Sequence, residues 1–337
     1  MERFTEGYVI AKRPNDNMGK LLVTGGAGFI GSALAKKALE MGWSIRIVDT
    51  AARSHFDSDV HHKSASIETI QGDIRNKEIM EEAIIGCDAV VHLAAQVSVP
   101  VSVLNPEETM DINVEGTAQV IALCQRFGVK RLIIASSAAV YGDVERFPLK
   151  EKDAGRTLSP YALSKWTNEM QIIEARNGGL DAAACRFFNV YGAGQKVEGS
   201  YAAVIPKFIE QMVNGTSPQI NGDGFQTRDF IHVNDVVTAI LTMLDGDWKA
   251  QQDHVFNVAT QTEISLNELV HVINKAIMRI RPSHKLIHPV YGSARDGDIR
   301  FSVADIELIK TTFGWKPNVM FEDGILDMVR QRIGRGE

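Results

Sequence analysis

Tyr161 and Lys165 stand four residues apart in the segment SPYALSK at 159–165. On a helix this spacing puts both side chains on one face, one turn from each other. A phenol beside an ammonium group can take a proton from a substrate hydroxyl and return it. A Tyr-x-x-x-Lys pair also arises often by chance on surface helices, so the rest of the chain decides what it means.

Ser136 and Ser137 directly follow an apolar run at 131–135 that predicts a buried strand. Ligands of parallel sheets bind outside the carboxyl ends of the strands. Ser137 is therefore expected at this edge, where its hydroxyl would donate or relay a hydrogen bond to the substrate oxygen. Serines at a strand end also act as simple caps, so this interpretation depends on a cofactor site nearby.

A glycine-rich turn, GGAGFIG at 25–31, connects a short apolar run at 20–24 to a helical pattern from 29 to about 41. Strand, glycine turn and helix is the context in which this motif binds a dinucleotide, because the helix N-terminus offers N–H groups to the pyrophosphate. A second predicted strand, 44–48, leads to Asp49. A carboxylate there accepts hydrogen bonds from a ribose and repels a 2′-phosphate, which favours NAD over NADP.

Strand and helix patterns continue to alternate through the first half of the chain. Strands are predicted at 68–71, 88–93 and 131–135, and a helix at 106–127. The strand at 88–93 leads to small residues, which leave room for a flat cofactor. This alternation predicts an α/β fold with a Rossmann-type, doubly wound parallel sheet.

Composition excludes several classes of protein. The 337 residues carry a net charge of −6, which argues against a nucleic-acid partner. Three cysteines at unrelated spacings indicate neither a disulfide framework nor a metal cluster, and they fit a reducing, cytoplasmic location. No apolar run approaches the roughly 18 residues that span a bilayer, so no membrane partner is predicted.

Two polar segments are interpreted separately. Residues 1–17 lack a hydrophobic signal core, and three interpretations stay open: a flexible extension, a non-native leader or a small addition to the fold. The segment 50–67 contains three histidines and two aspartates, but no helical or hairpin spacing orders them. We interpret it as a solvated loop and predict no metal site.

Taken together, the ordered motifs carry a family resemblance. They are TGGAGFIG at 24–31, Asp49, GDIR at 72–75, HLAAQ at 92–96, NVEGT at 113–117, SSAAVYG at 136–142 and SPYALSK at 159–165. The chain resembles the extended short-chain dehydrogenase/reductases, and among them the nucleotide-sugar epimerases of the UDP-galactose 4-epimerase type. Later segments continue the resemblance to about residue 326, namely RFFNVYG at 186–192, GDGFQTRDFIHV at 222–233 and RDGD at 295–298.

The resemblance implies residue roles. It implies the catalytic set Ser137, Tyr161 and Lys165. It implies an NAD site formed by Gly25, Gly28, Phe29, Ile30, Gly31, Asp49, Asp73, Ile74, Leu93, Ala94, Ala95, Gln96, Asn113, Ser136, Tyr161, Lys165 and Phe188. It implies a UDP-sugar site formed by Ser137, Tyr161, Asn189, Val204, Gln226, Arg228, Arg295, Asp298 and Ser302. Two arginines and an amide are chemically suited to clamping a diphosphate.

The implied reaction is reversible oxidation at sugar C4. Tyr161 would remove the hydroxyl proton while hydride passes to NAD⁺, and the 4-keto sugar would turn over before hydride returns to its other face. Bringing a phenol from its usual pKa of about 10 to near 7 takes roughly 4 kcal/mol, which Lys165 and the positive nicotinamide ring would supply. Tight retention of NAD is expected, because the cofactor ends as it began.

Departures from the family pattern narrow the chemistry. Ala138 and Ala139 stand where 4,6-dehydratases usually carry an Asp-Glu pair and decarboxylases usually keep the Glu, so those reactions are disfavoured. Ala203 stands where many UDP-hexose epimerases have Asn, so a diphosphate contact is lost or passes to the Ala203 or Val204 backbone. Small Ser302 replaces a bulky aromatic, which favours a sugar at least as large as glucose. UDP-GlcNAc/GalNAc, UDP-Glc/Gal and UDP-GlcA/GalA all stay open.

Alternatives also remain at the level of function. One is another nucleotide-sugar oxidoreductase, either a C2 or C5 epimerase or a reductase that releases its cofactor. The other is a catalytically inactive NAD-sensing protein, which the joint presence of Ser137, Tyr161 and Lys165 disfavours.

The expected organisation is an NAD-binding Rossmann domain at 18–189 and a smaller, mainly helical substrate-binding domain at 190–337. A helix near 233–244 and a strand at 254–258 are expected to rejoin the sheet. The resemblance implies a homodimer through the helices at 106–127 and 159–177.

Overall fold

A computed structural model describes residues 18–51, 67–195, 203–248, 253–294 and 299–334. The 1–17 segment lies outside the described residues. So do the histidines and aspartates of the 50–67 loop, together with Arg295 and Asp298 of the predicted substrate site.

The centre of the described chain is a parallel sheet with the strand order β3-β2-β1-β4-β5-β6-β11. The order reverses direction between β1 and β4, which is the doubly wound arrangement whose ligands bind at that point. The predicted Rossmann-type fold is thus confirmed. The strands are β1 Lys20–Thr24, β2 Ser44–Asp49, β3 Ile67–Gln71, β4 Ala89–His92, β5 Arg131–Ser137, β6 Asp181–Phe187 and β11 Val255–Val258.

Helices cover both faces of this sheet. They are α1 Phe29–Glu40, α2 Lys77–Ile84, α3 Val99–Leu104, α4 Pro106–Met110, α5 Gly116–Arg126, α6 Pro160–Asn177, α7 Val204–Val213, α8 Val233–Asp245, α9 Leu266–Ile280, α10 Glu307–Phe313 and α11 Phe321–Gly334. One core buries residues of α1 and α8, such as Leu34 and Ile240. The core on the opposite face buries residues of α2, α5 and α6, such as Met80 and Ile172. Strands buried on both faces explain why their sequences are continuous apolar runs.

The chain beyond residue 190 is divided between two places. Strand β11 pairs in parallel with β6, and α8 packs beside α1 in the first core. Helices α7, α9 and α11 instead form a core of their own around Phe208, Ile273 and Val329. The remaining short strands are β7 Asn189–Tyr191, β8 Gln219–Asn221, β9 Thr227–Arg228, β10 Phe230–His232, β12 Ile264–Ser265 and β13 Val290–Gly292. They pair two by two outside the central sheet, β7 with β10, β9 with β12 and β8 with β13.

The predicted helix at 106–127 contains an irregularity. Helices α4 and α5 are joined by a π-helical turn at Asp111–Glu115, so the helix is continuous in direction but not in hydrogen bonding. Such turns insert one extra residue and re-aim the side chains beside it. Here the turn carries Asn113, which is buried and points toward the end of β4.

No helix of the described ranges has both the length and the apolar character required to cross a membrane.

Candidate active site

A cavity of about 690 Å³ opens at the carboxyl edge of the central strands. Every residue assigned to the NAD site by sequence lines it, except Asn113. Ser137 and Tyr161 line it too, so the predicted catalytic set shares one cavity with the predicted cofactor residues. The lining residues that the sequence did not single out for a ligand site are Val48, Thr50, Gly72, Val97, Ile112, Ala135 and Phe187.

The glycine turn between β1 and α1 leaves no space for side chains. Gly25 adopts φ +69°, and a Cβ there would lie 2.7 Å from the Ala94 backbone nitrogen. A Cβ at Gly31 would collide with the Gly25 carbonyl. Because α1 begins at Phe29 without a side-chain cap, its first N–H groups face the cavity end of the turn. This is the cradle that a pyrophosphate requires.

Asp49 and Asp73 lie at the ends of β2 and β3 on the same cavity. The Asp49 carboxylate accepts hydrogen bonds from the backbone of Ala27 at 3.0 Å and of Ala51 at 2.9 Å. A carboxylate has about four acceptor positions, so two remain for ribose hydroxyls. Asp73 pairs with Arg75 at 2.6 Å, and this hydrogen bond lowers the pKa of the Asp73 carboxyl.

Asn113 holds the end of β4 in place from behind the cavity. Its amide accepts from the Gln96 backbone nitrogen at 2.8 Å and donates to the Gln96 carbonyl at 2.9 Å. It also donates to Ser164 on α6 at 2.9 Å. Asn113 therefore supports the Ala94–Ala95–Gln96 wall without lining it.

Helix α6 begins at the cavity. Ser159 caps it by accepting from Ala162 N at 3.1 Å, and Pro160 occupies the first helical position, where its missing N–H costs nothing. The Tyr161 N–H donates to Ser102 of α3 at 3.1 Å. These contacts fix the first turn, which carries Tyr161, and the second, which carries Lys165.

Lys165 is buried, and its ammonium group donates to the Ala135 carbonyl at 2.9 Å. An ammonium has three donors, so two remain for a ligand. Burial lowers the pKa of Lys165 to about 8, against the opposing effect of the Glu169 carboxylate.

Ser137 and Tyr161 both line the cavity, and the Ser137 hydroxyl is placed to act on the phenol as a hydrogen-bond donor. The Ser137 oxygen also accepts from Ala139 N at 3.2 Å, which leaves its own proton to be donated to the phenol. Burial raises the pKa of Tyr161 above 10, while the Ser137 hydrogen bond acts in the opposite direction. Lowering this pKa therefore requires positive charge beyond what the protein places against the phenol.

Two buried groups beside the site were not predicted. His92 lies between Thr24, 2.7 Å from Nδ1, and Thr117, 3.0 Å from Nε2. Burial, together with the charge of Lys165, lowers the pKa of His92 to about 3, so its ring is neutral. Glu169 is fully buried on α6 and pairs with Arg186 at 2.7 Å. Its spacing of four residues from Lys165 places it on the same helix face and could have been noticed in the sequence. Its hydrogen-bond partners lie on strands that only the fold brings together, so they could not be predicted.

Apart from Ser137 and Tyr161, the described residues assigned to the substrate site do not line the cofactor cavity. Asn189 lies at the start of β7 and donates to the Asp229 carbonyl at 3.1 Å. Arg228 on β9 donates to the Ile299 carbonyl at 2.6 Å, which brings it to the segment that leads to buried Ser302. Gln226 is buried and donates to the Asn221 carbonyl at 2.7 Å, and Val204 is the first residue of α7.

The residues along this cavity fit NAD. The glycine turn suits the pyrophosphate, Asp49 can accept from a ribose, and Lys165 has donors left for a ligand. In the same described ranges, no group of three or more His, Cys, Asp and Glu side chains is placed to hold a metal ion.

Comparison with known proteins points the same way. The sequence profile of the NAD-dependent epimerase/dehydratase family matches residues 21–259. A putative UDP-glucose 4-epimerase of Methanocaldococcus jannaschii is 36% identical over 312 residues, 92% of this chain and 97% of that protein.

Two solved structures share the fold over nearly the whole chain. One is the UDP-N-acetylglucosamine 4-epimerase from Methanobrevibacter ruminantium M1 in complex with UDP-N-acetylmuramic acid. It has a TM-score of 0.86 and 32% identity, over 94% of this chain and 99% of that chain. The other is the UDP-glucose-4-epimerase from Stenotrophomonas maltophila with bound NAD and formylated UDP-arabinopyranose. It has a TM-score of 0.85 and 28% identity, over 95% of this chain and 100% of that chain.

Proposed function

Because this chain belongs to the NAD-dependent epimerase/dehydratase family, we propose that it is an NAD-dependent 4-epimerase of a UDP-hexose. The observation that carries this proposal is the meeting of Tyr161, Ser137 and Lys165 in the cavity formed by the glycine turn and Asp49. Proton transfer and hydride transfer can then act on the same sugar carbon. Ala138 and Ala139 offer no carboxyl group for elimination or decarboxylation.

Each side chain of the catalytic set has a separate task. Tyr161 takes the proton from the C4 hydroxyl and later returns it. Ser137 donates a hydrogen bond that stabilises negative charge on the phenol and the sugar oxygen. Lys165, fixed by the Ala135 carbonyl, binds the nicotinamide ribose with its remaining donors and contributes positive charge. Bound NAD supplies the hydride acceptor for oxidation at C4 and the donor for the return.

The part of the chain built from α7, α9 and α11 is the proposed substrate-binding domain. The N-terminus of α7 lacks a side-chain cap at Ala203, so its free N–H groups can take the place of the missing Asn side chain against a diphosphate. Arg228 donates to the Ile299 carbonyl and Asn189 to the Asp229 carbonyl, and both side chains are proposed to bind the same diphosphate. Arg295 would complete the clamp.

The sugar is proposed to be at least as large as glucose. Ser302 follows Phe301, whose ring packs edge-on against Phe147 with centroids 6.0 Å apart. A serine at this position leaves volume that an aromatic side chain would fill, which supports UDP-GlcNAc and UDP-glucuronate as candidates beside UDP-glucose.

The test is proton NMR of the purified protein with UDP-Glc, UDP-GlcNAc and UDP-GlcA in separate samples, without added NAD. We expect interconversion at C4 in at least one series, with cofactor supplied by the protein itself. Turnover of UDP-glucose alone would contradict the extra room proposed at Ser302, which should admit an N-acetyl or carboxyl group. Absence of C4 interconversion in all three, or stoichiometric consumption of NADH in a separate assay to which NADH is added, would contradict the epimerase.

The protein is further proposed to be a cytoplasmic homodimer. Val103 and Leu104 on α3 and Leu163 on neighbouring α6 are exposed apolar side chains that a second copy would cover. The cysteines, all in described parts of the chain, are free and buried, as suits a reducing compartment. Light scattering measures the mass in solution.

A further inference from the structure

Glu169 is a fully buried carboxylate on the face of α6 that carries Tyr161 and Lys165. It accepts hydrogen bonds from Ser136 Oγ at 2.5 Å, from Arg186 Nε at 2.8 Å and from Arg186 Nη2 at 2.7 Å. The proposed reaction assigns it no task. A buried charge is costly unless its partners compensate it, so its position requires a reason.

The contacts of α6 with β5 join the strand end to the helix face. The Ala135 carbonyl accepts from the Lys165 ammonium group, and the Ser136 hydroxyl donates to the Glu169 carboxylate. Ser137, the next strand residue, lines the cavity together with Tyr161. Because Ser136 lies between Ala135 and Ser137, its contact with Glu169 holds the strand segment that carries both.

Glu169 also acts on Lys165 through charge. Its carboxylate is the group that opposes the lowering of the Lys165 pKa by burial. The other groups that face this carboxylate are the Arg186 guanidinium and the Ser136 hydroxyl. Arg186 in turn contacts the Tyr141 phenol at 3.0 Å and the Glu151 carbonyl at 2.7 Å. On the opposite side of Lys165, the His92 ring is neutral.

We propose that Glu169, balanced by Arg186, is a positioning residue of the reaction, which aligns Ser137 with Tyr161 and keeps Lys165 in its charged form. The inference rests on the proposed role of Lys165 in binding the nicotinamide ribose. Removing the carboxylate would take away the negative charge that favours the ammonium form of Lys165, and removing the guanidinium would leave that negative charge uncompensated. The two changes should act on Lys165 in opposite directions.

The experiment measures the dissociation constant of NAD⁺ by calorimetry between about pH 6 and about pH 10, on the full chain after exchange of bound nucleotide. In the unchanged protein, affinity should fall above about pH 8 as Lys165 loses its proton. Glu169→Gln should move this midpoint down by about one pH unit, and Arg186→Gln should move it up. In addition, kcat should fall at least about tenfold in Glu169→Gln at unchanged KM.

The matched control is Glu174→Gln, an exposed glutamate on the same helix, which should leave the midpoint in place. Midpoints unmoved in both single variants, with affinity reduced equally at every pH, would overturn the inference in favour of a purely structural role. If a single variant fails to fold, the neutral double variant Glu169→Gln/Arg186→Gln decides. Its midpoint should lie below that of the unchanged protein, and an unmoved midpoint with full kcat would overturn the inference. Because NAD⁺ binding is measured without sugar, the shift of the midpoint remains a valid readout even if the epimerase assay fails.

Discussion

At the scale of single residues, the proposed chemistry depends on a phenol that the protein holds in its neutral form. Burial raises the pKa of Tyr161, and Ser137 offsets this only through a hydrogen bond. In the proposed mechanism, proton abstraction therefore depends on positive charge that an oxidised nicotinamide ring would bring to the cavity in addition to Lys165.

Tyr161→Phe keeps the ring and removes the hydroxyl. We expect kcat for C4 interconversion to fall by about 10²- to 10⁴-fold, because a general base contributes about that much, while KM for the UDP-sugar changes little. Initial rates followed by NMR measure both parameters. Tyr291→Phe, at an exposed tyrosine outside the cavity, is the control. A Tyr161→Phe variant that retained the unchanged protein's kcat would eliminate Tyr161 as the base.

At the scale of elements, sequence patterns predicted the helices and strands whose bounds depend on residues close together in the chain. The bounds of β1 and α1 follow from an apolar run and a glycine turn, and the structure places them within a residue of the prediction. The π-helical turn at Asp111–Glu115 was missed because it changes hydrogen bonding without changing the apolar period. The tasks of Asn113 and Glu169 were missed because their partners, Gln96 and Ser136, are brought to them only by the assembled sheet.

The end of β4 is held by the neutral His92 ring between β1 and α5. An unfolded histidine has a pKa of about 6.5, whereas the folded value is about 3 because of burial. Below about pH 6.5 the unfolded chain therefore binds a proton that the folded chain does not. Stability should decrease as the pH falls toward 3, by up to about 1.4 kcal/mol per pH unit.

His92→Gln keeps hydrogen-bonding groups and removes the titration, so thermal unfolding midpoints should depend less steeply on pH between about pH 6 and about pH 4. His271→Gln, at an exposed position on α9, should leave the slope unchanged. Equal slopes in the unchanged protein and His92→Gln would show that the ring is protonated in the folded state.

At the scale of the whole molecule, the carboxylate of Asp229 joins segments that are distant in sequence. It is fully buried and accepts from Thr260 N at 2.8 Å, Thr260 Oγ1 at 2.7 Å, Gln261 N at 2.9 Å and Ala304 N at 3.2 Å. Its own carbonyl accepts from the Asn189 side chain at 3.1 Å. The segment GDGFQTRDFIHV at 222–233 placed Arg228 in the substrate site by resemblance. Only the structure shows that the next residue, Asp229, connects this segment to the chain around Thr260 and Ala304.

Asp229→Asn replaces an acceptor oxygen by an NH₂ group that faces backbone N–H donors. Because Asn189, Arg228 and the segment before Ala304 would lose their common support, we expect KM for the UDP-sugar to rise at least about tenfold. The affinity for NAD should stay unchanged, since Asp229 does not line the cofactor cavity. Calorimetry with NAD and initial rates with the UDP-sugar separate the two effects, and Asp253→Asn at an exposed position is the control. Equal losses of NAD and UDP-sugar affinity would instead indicate that Asp229 stabilises both parts of the molecule alike, and would contradict a specific role in the substrate site.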